Sequence, residues 1–120
     1  MTIDSFCNLI EKLFRKHGLN GEWKWKISNT QRRLGSCSRK TKTIRVSRVA
    51  ILGEEDEIVQ DVILHEMAHA LLDRKPGDMP HGHKWKRKCV EIGAIPRSYG
   101  LYGLRIRARR KPPPRWKRYV

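Results

Sequence analysis

His65, Glu66 and His69 stand in the order His-Glu-x-x-His, with Met67 and Ala68 between. Residues four apart lie one above the other on a helix, so the two imidazoles can reach one metal ion. Glu66 then sits beside the metal without occupying a ligand position. From there its carboxylate can take a proton from metal-activated water, the general-base arrangement of a zinc hydrolase. The chain from Ile58 to Leu72 is apolar on nearly all sides of the motif, which predicts a buried central helix. Two imidazoles and a carboxylate are costly to bury unless they are paired or bind metal.

A catalytic zinc needs a third protein ligand, and His81, His83 and Glu91 are the candidates. Asp78 suits an N-cap and Pro80 a first turn, so a further helix is expected from about Met79 to Ile92, closed by Gly93. Its core side would carry Trp85, Cys89 and Ile92, leaving Lys84, Lys86, Arg87 and Lys88 facing outward. His81 can face the metal when Trp85, four residues on, faces the core; His83 then points away. Glu91 is the ligand a thermolysin-like arrangement would use. It lies roughly 15 Å along the helix from His81, so the two cannot share one ion. The metzincin pattern fails, because Leu72 and Lys75 stand where it requires Gly and His.

The elements that must position these residues follow from periodicity. Apolar residues recur at three and four from Ile3 to His17 and stop at Gly18, predicting an amphipathic helix. Trp23-Lys24-Trp25-Lys26-Ile27 alternates as a half-buried strand does, and its Trp and Lys could alternatively meet nucleic acid. Arg33 to Ser38, the turn Arg39-Lys40-Thr41-Lys42, and Thr43 to Ser47 read as a hairpin. Together these give a small three-stranded antiparallel sheet. Gly35 within it allows close backbone approach, a bulge, or an edge that pairs with an extended peptide. Glu54 to Glu57 are read as first-turn carboxylates complementing the dipole of the central helix, which should end near Arg74 before Pro76-Gly77.

The chain has 120 residues, suited to one modest core, and 27 Lys and Arg against 12 Asp and Glu, a net charge of +15. Such a balance points to a polyanionic partner, nucleic acid before an anionic membrane surface. The amino terminus lacks a signal-peptide pattern and no run is long enough to span a membrane, so an intracellular, DNA-associated protein without a membrane partner is expected. Cys7, Cys37 and Cys89 are three and far apart, giving neither a disulfide framework nor a zinc knuckle.

No acidic residue follows Glu91. Residues 105–120 carry Arg105, Arg107, Arg109, Arg110 and Lys111, then three prolines, then Arg115, Trp116, Lys117 and Arg118. We read this segment as an extended basic tail that neutralises phosphates, with Trp116 and Tyr119 available to stack on unpaired bases. The alternation around Arg105 and Arg107 also permits a strand. Lys84, Lys86, Arg87 and Lys88 would add to the same nucleic-acid surface.

The motif His65-Glu66-Met67-Ala68-His69, followed by His81-Gly82-His83-Lys84-Trp85, resembles the paired HExxH and HGxxW motifs of the SprT-like zinc metalloprotease family, to which the SprT and Spartan protease domains belong. The stretch from Leu34 to Ser47 resembles that family's strands before the catalytic helix. The resemblance implies a zincin-like fold, Zn2+ held by His65, His69 and His81, and Glu66 as the catalytic glutamate. It also implies proteolysis of DNA-bound or DNA-crosslinked proteins. Many bacterial members carry a cysteine-rich zinc ribbon, which Cys7, Cys37 and Cys89 are not expected to form.

The expectation is therefore an α+β protease domain over residues 1–104, with the HExxH helix packed on the sheet beside two further helices, and a nucleic-acid-binding tail over 105–120. It should act as a monomer on DNA-bound protein, on DNA of single-stranded character. Two rivals remain open to the sequence: a non-proteolytic zinc-containing nucleic-acid-binding module, and a zinc hydrolase with a non-protein substrate.

Overall fold

Ile44 and Val46 are fully buried because the strand that carries them is the middle one of three. The computed structural model describes residues 1–30, 33–73, 75 and 79–96. Within these the order is α1 (Ile3–Lys16), β1 (Lys24–Ser28), β2 (Gly35–Ser38), β3 (Thr43–Ser47), α2 (Arg48–Gly53), α3 (Asp56–Leu71) and α4 (His83–Ile92). The chain is α+β, with four helices among the described residues where the sequence led us to expect three. The additional one, α2, spans six residues, too few to show a helical repeat.

β2 and β3 form the expected antiparallel hairpin, with Gly35 opposite Val46 and Cys37 opposite Ile44. β1 runs parallel to β3, pairing Trp25 with Ile44 and Ile27 with Val46, so the sheet is mixed and not antiparallel throughout. The reason is the order β1-β3-β2. Parallel neighbours need a crossover of about a dozen residues, and the chain between Ser28 and Thr43 supplies it by running through β2 first. Ser47 fixes the returning loop: its N–H donates to the Leu34 carbonyl at 2.8 Å and its hydroxyl to the Thr30 carbonyl at 2.8 Å.

α1 and α3 pack on one face of this sheet. Phe6 of α1 meets Trp25 edge-on with centroids 5.8 Å apart, and the Trp25 indole N–H donates to Glu11. α3 packs where Gly35 leaves space. It is buried on nearly every side through Ile58, Val59, Val62, Ile63 and Met67, as a central helix must be. Asp56 and Glu57 occupy its first turn, whereas Glu54 ends α2 and is buried. The reading of all four acids as first-turn residues is corrected accordingly. α3 ends at Leu71, short of Arg74.

α4 begins at His83 with Gly82 as N-cap, so Met79 to His81 form the approach to the helix and not its first turn. Gly93 closes it at φ 94°, a left-handed conformation that glycine adopts without strain. Among the described residues no helix is long and apolar enough to cross a membrane. The boundary at residue 104 and the segment 105–120 lie outside the described residues.

Candidate metal centre

α3 places Asp61, His65 and His69 one turn apart along one side. α4 packs against this side through Trp85, which is buried, and the approach to α4 brings in His81. The Nε2 atoms of His69 and His81 are 3.2 Å apart, with ring centroids 4.9 Å apart. Two nitrogen ligands about 2.0–2.1 Å from a tetrahedral ion would be separated by roughly 3.3 Å, so this pair has the spacing of two ligands of one zinc.

Trp85 organises the three imidazoles. It stacks on His69 at 5.3 Å with planes 22° apart, meets His81 edge-on at 4.7 Å, and lies 5.4 Å from the His65 ring. Its indole N–H also donates to the His65 carbonyl at 3.2 Å. One flat, buried side chain thus fixes the relative placement of all three histidines.

His65 itself faces differently. Its Nε2 hydrogen-bonds the Ile95 carbonyl and lies 3.4 Å from the Asp61 carboxylate, while the other Asp61 oxygen accepts the Ile95 N–H at 3.0 Å. Both partners of Nε2 are acceptors, so this nitrogen carries the proton. Burial lowers the His65 pKa, with the Asp61 charge and the Ile95 carbonyl opposing. Among the described residues no three of His, Cys, Asp and Glu are grouped as a metal site. His65 can join the His69–His81 pair only through Nδ1 or by releasing Ile95.

Glu66 follows His65 and turns toward β2. A Cβ built on Gly35 would lie 2.9 Å from Val62 Cγ1 and 3.1 Å from Glu66 Cγ, so the missing side chain is what lets β2 close over Glu66. The bulge considered for Gly35 is not seen; the residue stays in register with Val46. Desolvation pushes the Glu66 pKa up to about 8, against the lowering effect of Arg33.

The hairpin turn grips the far end of the same helix, because Arg39 donates to the His69 carbonyl at 2.5 Å. Arg39, Asp61 and Arg33 did not figure among the sequence-derived site residues. Asp61 could have been found from its position four residues before His65; the two arginines could not, since their approach to α3 depends on sheet packing. Cys89 lies buried under the site with its thiol pushed up to about 12, first by burial and then by Asp61 and Glu66, so it stays protonated.

The remaining candidates separate cleanly. His83 is exposed at the start of α4, and Glu91 is exposed and paired with Lys88. Lys84, Lys86 and Arg87 are exposed on the outer side of α4. Arg105, Arg107, Arg109, Arg110, Lys111, Arg115, Trp116, Lys117 and Arg118 lie outside the described residues.

Comparison with known proteins adds independent findings. A family model described as the SprT-like family matches residues 3–108. Protein SprT of Escherichia coli K12 is 31% identical over 74 residues, covering 59% of this chain and 45% of that protein. Protein SprT of Glaesserella parasuis is 30% identical over 66 residues, covering 54% and 42%. The matched region thus spans less than half the length of these curated relatives. Among solved structures, the metallopeptidase zymogen jannalysin of Methanocaldococcus jannaschii superposes with a TM-score of 0.55 at 23% identity, over 73% of this chain and 89% of that one. Abylysin of Pyrococcus abyssi, also a metallopeptidase zymogen, gives 0.55 at 21%, over 88% and 93%. The fold is that of these metallopeptidases.

Proposed function

Because the chain belongs to the SprT-like family, we propose that it is a zinc-dependent peptidase that cleaves proteins held on DNA. The observation that carries this reading is the 3.2 Å approach of His81, on the approach to α4, to His69 on the helix that also bears Glu66. His69 and His81 would hold the zinc, with His65 as third ligand once its ring nitrogen is made available. When bound, zinc polarises a peptide carbonyl and acidifies water.

The chain's own groups supply the rest. Glu66 accepts the proton of the attacking water and later delivers it to the leaving amine. β2, at the edge of the sheet and pressed against α3 at Gly35, offers a line along which an extended peptide can add as a further strand. Such pairing uses the peptide backbone and therefore reads little sequence. Association with DNA rests on the net charge of +15 and on the exposed Lys84, Lys86 and Arg87, with the basic residues 105–120 in addition.

The test is a cleavage assay on a DNA-bound protein with the zinc-loaded chain, with and without single-stranded DNA, beside Glu66→Gln. Fragments that need DNA and vanish in Glu66→Gln are expected. Equal DNA binding by both proteins with no fragments from either would replace the peptidase by a zinc-containing binding module.

A further inference from the structure

The two faces of the sheet differ in chemistry. Trp25, Ile27, Ile44, Val46 and Gly35 share the face on which α1 and α3 pack, as the contacts of Phe6 with Trp25 and of Gly35 with Val62 establish. Side chains alternate along a strand, so Lys24, Lys26, Arg45, Ser36 and Ser38 belong to the opposite face. Lys24 and Lys26 are exposed, Ser28, Ser36, Ser38 and Arg45 are half-buried, and Thr43 and Ser47 at the two ends of β3 are buried. Every residue of the three strands on this face is Lys, Arg, Ser or Thr.

Lys26 and Arg45 are direct partners in the β1–β3 register. Neighbouring strands are about 4.8 Å apart, so two like charges stand side by side, an arrangement that destabilises a sheet. Among the described residues no ion pair involves Lys24, Lys26 or Arg45. A folded domain that keeps three cations together on one sheet face, two of them exposed, has a surface complementary to a polyanion. Trp23 and Trp25, by contrast, pack toward the core, so the aromatic partners that would stack on bases are absent from the strands of this face.

We infer that the sheet face opposite α1 and α3, through Lys24, Lys26 and Arg45, is a nucleic-acid docking surface that binds the phosphate backbone without reading bases, separate from the α4 lysines. It deepens the DNA-associated reading above and is independent of the peptidase chemistry. Recognition by phosphate alone is sequence-independent, falls with salt, and serves single strands and duplexes alike.

The triple variant Lys24→Gln, Lys26→Gln, Arg45→Gln tests it, titrated against a fluorescein-labelled single-stranded oligonucleotide and against a duplex over a range of salt concentrations. Affinity should fall on the order of tenfold for both, and the slope of log affinity against log salt should become shallower by about 2 for the single strand, three contacts at roughly 0.7 each. The melting temperature should hold or rise, because like-charge repulsion is removed. Lys84→Gln, Lys86→Gln, Arg87→Gln, measured alongside, should lose affinity separately and additively. Parent affinity and parent slope in the sheet variant would overturn the inference, as would loss of binding to anionic phospholipid vesicles with oligonucleotide binding intact. A parent chain that binds no oligonucleotide also overturns it, while cleavage abolished by Glu66→Gln would show that the peptidase reading stands without it.

Discussion

The Nε2 atoms of His69 and His81 lie 3.2 Å apart although one residue is on α3 and the other on the approach to α4. Their shared neighbour is Trp85, stacked on the first and edge-on to the second. Placement of the pair therefore depends on how α4 docks.

Replacing either histidine should remove zinc binding. His69→Ala and His81→Ala are each expected to weaken zinc affinity more than about 100-fold, beyond the roughly 10–100-fold that follows loss of an outer partner. His81 is exposed, so His81→Ala should leave the metal-free melting temperature nearly unchanged. Competition with a chromophoric chelator measures the affinities. The same assay on His65→Ala decides whether that residue is a ligand.

Trp85→Leu keeps an apolar side chain in the core but removes the flat surface and the N–H that meet the three histidines. Zinc affinity should drop by about 10–100-fold. A core control on α1, the buried Phe14→Leu, should lose stability while retaining the parent's zinc affinity. Equal zinc affinity in the two variants would mean that Trp85 only fills space.

The raised Glu66 pKa makes metal-free stability fall with pH. Between its ordinary 4.5 and about 8 the folded chain keeps the proton that the unfolded chain has lost, so unfolding becomes easier as pH rises and levels off above 8. The lowered His65 pKa acts oppositely, but only below 6.5, where the unfolded imidazole is charged. From pH 6.5 to 8 the Glu66 contribution should cost about 2 kcal/mol. Urea unfolding across this window, in the parent and in Glu66→Gln, should show that slope in the parent alone.

A methyl group at Gly35 would meet Val62 Cγ1 at 2.9 Å, Glu66 Cγ at 3.1 Å and the Arg45 carbonyl at 3.2 Å. Gly35→Ala should destabilise by about 1–3 kcal/mol, the range for overpacking. Because the displaced atoms include Glu66, kcat on a peptide substrate should fall more than KM rises. A variant with lower stability and unchanged kcat would show that the close approach serves packing only.

The helix pattern, the HExxH spacing and the basic balance are properties of neighbouring residues and of composition, and the sequence alone determined them. α1, α3 and the β2–β3 hairpin appear where periodicity and turn residues set them, and Trp85 and Cys89 face the core as their spacing requires. Only the tertiary structure decided that β1 runs parallel to β3, because strand direction is set by the path of the whole crossover and not by any one strand. It also decided that Gly35 seats against Glu66, that Arg39 reaches the His69 carbonyl, and that His65 is engaged by Asp61 and Ile95. Each of these joins residues far apart in the chain, and periodicity within one element carries no information about which side chain of another it will meet.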